Sequence, residues 1–358
     1  MKDSLTTEKY DILSLISKHR SALMGFAALC IFVFHEYIAI GNESSKLYII
    51  QELVAARGYV GVDIFFLLSG MGLTYSVRKT NTAMFYYKRL RRVFFPFAAV
   101  GFCYLIARQW SVIDFIKNVS GYSFIFVRTY KFLWFVPAIM ILYLFFPLYD
   151  KVISKASNKI TFTALVIGVW LLATMLTARL VSSIGREDIY FILNRIPIFV
   201  IGVLLGYLSQ SRRVYMTKSG WALMIVMNLT GFYLNVMTSD FDWQLLVPMP
   251  NCFVPNILMS ISATFILSGV FEWISRFKIS VYVKAIFDFF GKISLEFYCV
   301  QETLGKIILN KLDGHSAAVK NIAVFAGCIV AGLILFYAEK YFWKFVELPF
   351  AKKSRKKE

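Results

Sequence analysis

The chain has 358 residues, 58% of them hydrophobic and 17% charged, with a mean hydropathy of +0.64. Soluble domains are about half apolar and about a quarter charged, so a water-soluble globular core is excluded. The formal net charge of +18 falls in alternate loops between apolar runs, as in the cytoplasmic loops of membrane proteins, and no nucleic-acid partner is expected.

The first stretch, MKDSLTTEKYDILSLISKHR, is polar and mixed in charge. It lacks the short apolar region and small-residue site of a cleavable leader, so residues 1–20 read as a cytoplasmic segment. ALMGFAALCIFVFHEYIAI (Ala22 to Ile40) opens the first span, since about 20 apolar residues rising about 1.5 Å each cross the hydrocarbon core. His35 lies near its far end. Ionisable groups at such depth face a bundle interior or a wet cavity, and an imidazole exchanges a proton near neutral pH. A histidine that only bonds a backbone carbonyl is the alternative. Glu36 follows at once and points about 100° away.

The second span, GYVGVDIFFLLSGMGLTYSV (Gly58 to Val77), carries Asp63 one turn into an apolar helix. A carboxylate there needs a partner, with His35 or an arginine the natural choices; a helix cap at the outer interface is the other reading. FYYKRLRRVFFPF (Phe85 to Phe97) places Arg89 and Arg92 three residues apart on one helix face. Two guanidinium groups there suit phosphate, which each can clamp bidentately, or they anchor the cytoplasmic end of the span.

Apolar segments suggest about ten spans: 22–41, 59–77, 93–108, 132–149, 160–178, 189–209, 220–238, 252–272, 287–309 and 321–339. Most of the 39 Lys and Arg lie at the N-terminus, in Arg78 to Arg92, Asp150 to Lys159, Ser211 to Ser219 and Arg276 to Lys284, and in the tail. That asymmetry places both termini in the cytoplasm. The expected fold class is therefore an all-α integral membrane protein, a single bundle of about ten transmembrane helices. The transmembrane domain takes residues 21–340 and a basic tail residues 341–358. The five cysteines (Cys30, Cys103, Cys252, Cys299, Cys328) form no CxxC pair and predict neither a metal site nor a disulfide framework.

Read together, LMGFAALCIFVFH, GVDIFFLLSG and the RxxR element before a Pro-containing span resemble the membrane acyltransferase-3 family. LWFVPAIMILYLFFPLY (Leu133 to Tyr149), NRIPIFVIGVLLGY (Asn194 to Tyr207), GKISLEFYCVQE (Gly291 to Glu302) and VELPF (Val346 to Phe350) are similar to its later motifs, in the same order. The resemblance implies a multi-pass enzyme of the cell membrane that moves an acyl group, usually acetyl, from cytoplasmic acyl-CoA to a hydroxyl of a glycan or lipid-linked sugar. It implies no bound cofactor. His35 matches the family's catalytic histidine, and Arg89 and Arg92 match its RxxR pair, associated with the acyl donor. Arg195 and Glu347 match charged positions of later motifs. On these implications Asp63 is expected to orient His35, and Arg195 to meet developing negative charge or donor phosphate. Three positions depart from the pattern. Met24 stands where the family often has arginine, with Arg20 one turn lower on nearly the same face. Phe132 and Gln301 stand where it often has histidine. A transporter or flippase, and a non-catalytic relative, are the competing readings.

Overall fold

In the computed structural model, which describes residues 11–107, 109–127, 132–183, 189–240, 253–278 and 280–354, the chain is all-helical, with no strands among the described residues. α1 (Ile12–Lys18) meets α2 (Arg20–Glu36) at His19 with a 70° bend. α3 (Lys46–Ala55) leads into α4 (Val60–Val77), and α5 (Thr82–Ile106) follows. The short α6 (Val112–Val119) and α7 (Tyr122–Phe126) precede α8 (Phe135–Lys155) and α9 (Lys159–Ser183). α10 (Tyr190–Leu193) turns into α11 (Ile196–Ser211), and α12 (Lys218–Asp240) and α13 (Phe253–Ile274) come next. α14 (Ser280–Lys292), α15 (Ser294–Val300), a π-helical turn (Gln301–Gly305) and α16 (Lys306–Lys311) follow in close succession, and α17 (Ala317–Ser354) is the last described element.

Local signals explain where several helices begin. Asn81 accepts the Met84 amide at 2.8 Å to start α5, satisfying a donor that has no partner within the helix. Ser111 and Asp114 cap each other's backbone at α6. The two hydrogen bonds from Ser111 hold the Asp114 carboxyl below its usual range.

Among the described residues seven helices are long and apolar enough to cross a membrane, or eight if the bent α1–α2 pair is one span. Of the remaining expected segments, α5 fails because Lys88, Arg89, Arg91 and Arg92 charge its first half. The 287–309 segment fails because it breaks at Ile293 and again at the π-helical turn. α17 runs as one helix from the last expected span into the expected basic tail, as far as Ser354.

Packing at the centre depends on small residues that bring helix backbones together. A Cβ on Gly25 would overlap the carbonyl of Phe287, and one on Gly291 the carbonyl of Ser21, so α2 and α14 cross backbone to backbone. Gly70 and Gly202 bring α4 and α11 together in the same way. Lipid is as apolar as leucine, so close van der Waals contact and not apolar burial drives such pairs. Aromatic rings fill the space beside them, with Phe32 5.3 Å from Phe297 and 5.2 Å from Phe325. Gly25→Val is expected to cost about 3 kcal/mol by forcing α2 from α14. Thermal unfolding of the purified protein in detergent checks this, and an unchanged midpoint would contradict the packing described.

Candidate functional site

α2 carries the site. Arg20 begins the helix and His35 lies fifteen residues on, about 22 Å along the axis. Each end has its own polar constellation.

At the far end, His35 Nε2 lies 3.0 Å from Glu302 Oε1, with both side chains partly open (22% and 17% exposed). Glu302 belongs to the π-helical turn, an irregularity common at functional sites. A carboxylate accepting the Nε2–H fixes the tautomer and leaves Nδ1 with the lone pair. His35 also meets the Phe34 ring edge to face at 4.8 Å. Glu36 faces elsewhere. It is buried against Gly305, where any Cβ would strike its carboxyl, and neither oxygen has a hydrogen-bond partner among the described residues. Gln301 is likewise buried without a partner for either amide atom among them.

The expected contact between Asp63 and His35 is replaced. Asp63 is 2% exposed, and its ion partner is Arg195, with Nε 3.4 Å from Oδ1. Asp63 is not the cap either: Tyr59 holds the N-cap position of α4, and Asp63 lies in its first turn. The cause is topological. α4 packs closely on α11, which turns the first turn of α4 toward Arg195, whereas the end of α2 meets the π-helical turn. Arg195 lies inside the expected sixth span, which runs over Tyr190–Ser211, as the N-cap residue of α11 at the turn after α10. Its guanidinium lies 5.3 Å from the centre of the Trp134 ring.

The other end of α2 lines a cavity of about 350 Å³ bounded by Ser17, Arg20, Met71, Gly72, Tyr75, Lys79 and Arg89. Among the described residues three cations and no carboxylate line it. Arg20 reaches the cavity because residue 72 is glycine: a Cβ there would lie 2.9 Å from Arg20 Nη2. The guanidinium donates to the Leu68 carbonyl at 3.3 and 3.4 Å, which fixes its position without neutralising it. Met24 packs on the apolar core, so the cation at this end of the helix comes from Arg20.

The shared clamp expected of Arg89 and Arg92 is split. Arg89 donates to the Ser76 hydroxyl at 2.7 Å and stays on the cavity side. Arg92 is bound by Glu296 and by Glu339, the latter at 2.7 Å. Three residues on a helix leave about 60° between side chains. That angle suffices here because α5 runs between α4 on one side and α15 and α17 on the other. Glu347 pairs with Arg91. Phe132 is buried, stacked 5.4 Å from Phe97 and edge-on to Trp110 at 4.6 Å.

Sequence reasoning missed Glu302, Lys79 and the two carboxylates on Arg92. Glu296 and Glu302 stand in an apolar run, and an ionisable residue at membrane depth is itself a functional signal. Lys79 carried no signal beyond its basic loop.

In comparison with known proteins, the family model described as an acyltransferase domain matches residues 22–338. No curated protein and no solved structure matches the chain.

Proposed function

The chain belongs to the membrane acyltransferase-3 family, and from that premise we propose that it transfers an acyl group, acetyl by family habit, from acyl-CoA to a hydroxyl of a glycan or lipid-linked sugar across a cell membrane. The proposal takes the protein to cross the bilayer about ten times with both termini in the cytoplasm, which the basic loops support. The observation that carries it is the arrangement along α2: a cavity lined by three cations at the basic end and a His–Glu pair about 22 Å away.

In this reading Arg20 and Lys79 hold the phosphates of the donor, Arg20 through strong and directional guanidinium–phosphate bonds. The thioester arm runs between helices toward His35. His35 Nδ1 takes the proton of the acceptor hydroxyl as that oxygen attacks the thioester carbonyl. The carbon–sulfur bond then breaks, and the departing thiolate takes the proton from the imidazolium. Attack by Nδ1 itself, giving an acyl-histidine that the acceptor then cleaves, is the two-step variant. Glu302 orients the ring and stabilises the imidazolium, the role carboxylates play in catalytic triads. Asp63 and Arg195 stand apart from both steps and hold α4 against α11. Arg92 is held by its two carboxylates and serves the packing of α5.

Arg20→Ala is expected to raise the KM for acetyl-CoA about 10- to 100-fold with kcat little changed, as loss of charged hydrogen bonds to a donor phosphate predicts. An unchanged KM would remove Arg20 from the donor site. The function itself is tested by mass spectrometry of surface polysaccharide from a deletion strain, where loss of an acetyl mass is expected. Movement of an unmodified glycan by the purified protein in vesicles, with no acylated product, would favour a transporter instead.

A further inference from the structure

A second cavity, of about 470 Å³, lies between α5, the α6–α7 corner and α8. Its walls are apolar, with Phe97, Val119, Pro137, Met140 and Ile141 among them. From Arg89 to Phe97 it follows eight residues of α5, about 12 Å, most of the roughly 15 Å that one leaflet contributes to the hydrocarbon core. Its rim is open sideways, because Leu90, Leu144 and Ile125 are exposed apolar residues.

One end of this slot is charged. Of the three arginines on α5, Arg91 is paired with Glu347 and Arg92 with Glu296 and Glu339. Arg89, which lines the slot, has no carboxylate partner among the described residues and bonds the neutral Ser76 hydroxyl. Tyr86, Tyr87 and Tyr143 line the slot as well, the Tyr143 ring 5.8 Å from the Arg89 guanidinium, and Trp343 lies 6.4 Å from Tyr87. Such a ring of aromatic and basic side chains marks a membrane–water interface, and basic pockets between spans recruit anionic headgroups. An apolar slot of one-leaflet depth that opens to lipid and ends at an uncompensated cation is complementary to one kind of molecule.

We propose that the slot is a specific site for one anionic membrane phospholipid, with an acyl tail between α5 and α8 and the headgroup phosphate on Arg89. Arg89 also borders the cation cavity, whose other cations, Arg20 and Lys79, remain for a phosphate there. The lipid assignment does not depend on the donor assignment.

The test uses the full-length protein in nanodiscs of phosphatidylglycerol and phosphatidylcholine, with a trace of phosphatidylglycerol bearing a diazirine in its tail. Photolabel is expected on α5 and α8 peptides containing Leu90, Met140 and Ile141. Unlabelled phosphatidylglycerol should displace it, and equal phosphatidylcholine should not. Met140→Trp, which fills the slot and leaves Arg89 in place, should lower that labelling at least tenfold. Label spread evenly onto the lipid-facing helices α9 and α12, or equal displacement by both lipids, would overturn the proposal. The wild-type competition decides even if the variant folds poorly. No acyl donor enters the readout, so failure of the donor assignment would leave this result standing.

Discussion

His35→Ala should abolish acyl transfer to the native acceptor, with a loss of about 10²- to 10⁴-fold if the imidazole acts as general base, while protein level and folding hold. His35 sits at the end of α2 with its ring partly open, so truncation removes chemistry more than packing. Glu302→Gln is the informative companion. It keeps the shape of the Glu302 side chain but no longer stabilises an imidazolium, and losses of about 10- to 100-fold are typical when a supporting carboxylate is changed. The two effects should not add, because Glu302 acts through the ring it orients. The measurement is initial rate with radiolabelled acetyl-CoA, at matched protein levels. Full activity in His35→Ala would sink the assignment. Full activity in Glu302→Gln alone would leave His35 in place and remove its orienting partner.

The second large effect concerns stability. Arg195→Ala leaves Asp63 as an uncompensated carboxylate between α4 and α11, and breaking a buried pair this way typically costs about 3–5 kcal/mol. Asp63→Leu alone strands the guanidinium and should be comparably harmful. Replacing both, as Asp63→Leu with Arg195→Met, should recover most of the loss, since apolar side chains of similar volume often serve in a buried ion pair's place. Unfolding midpoints in detergent for the two single variants and the double variant complete the cycle. Losses that simply add would mean that the two residues do not act as a pair. Normal stability with abolished transfer in Asp63→Asn would return Asp63 to the catalytic machinery.

These outcomes bear on the three positions where the chain departs from its family's pattern. Where Met24 offers no cation, Arg20 places one at the same end of α2, in the space that Gly72 leaves. Phe132 joins an aromatic stack with Phe97 and Trp110, so the position serves packing. Gln301 is buried beside the residue that holds His35, so an altered side chain there changes the immediate surroundings of the dyad without removing either member.

The class of the protein was legible in the sequence for a physical reason. A bilayer admits only apolar helices of a minimum length, and the runs of apolar residues and their basic flanks record that constraint directly. The same constraint makes a histidine at depth conspicuous, so the place of His35 within an apolar run is enough to single it out. Pairing was not legible. Asp63 had two natural partners in sequence terms, and Arg89 and Arg92 shared a helix face. Which carboxylate meets which cation depends on how helices far apart in sequence cross, and those crossings are set by glycines such as Gly25, Gly70, Gly202 and Gly291 that let backbones touch. By itself the sequence determined a helical membrane protein, its family and the histidine at the end of its first span. Only the tertiary structure decided that Glu302 and not Asp63 holds His35, that Asp63 belongs to Arg195, and that Arg20 joins Arg89 at one cavity. Local residue pattern dictates helix and depth, whereas partnership is a property of packed surfaces.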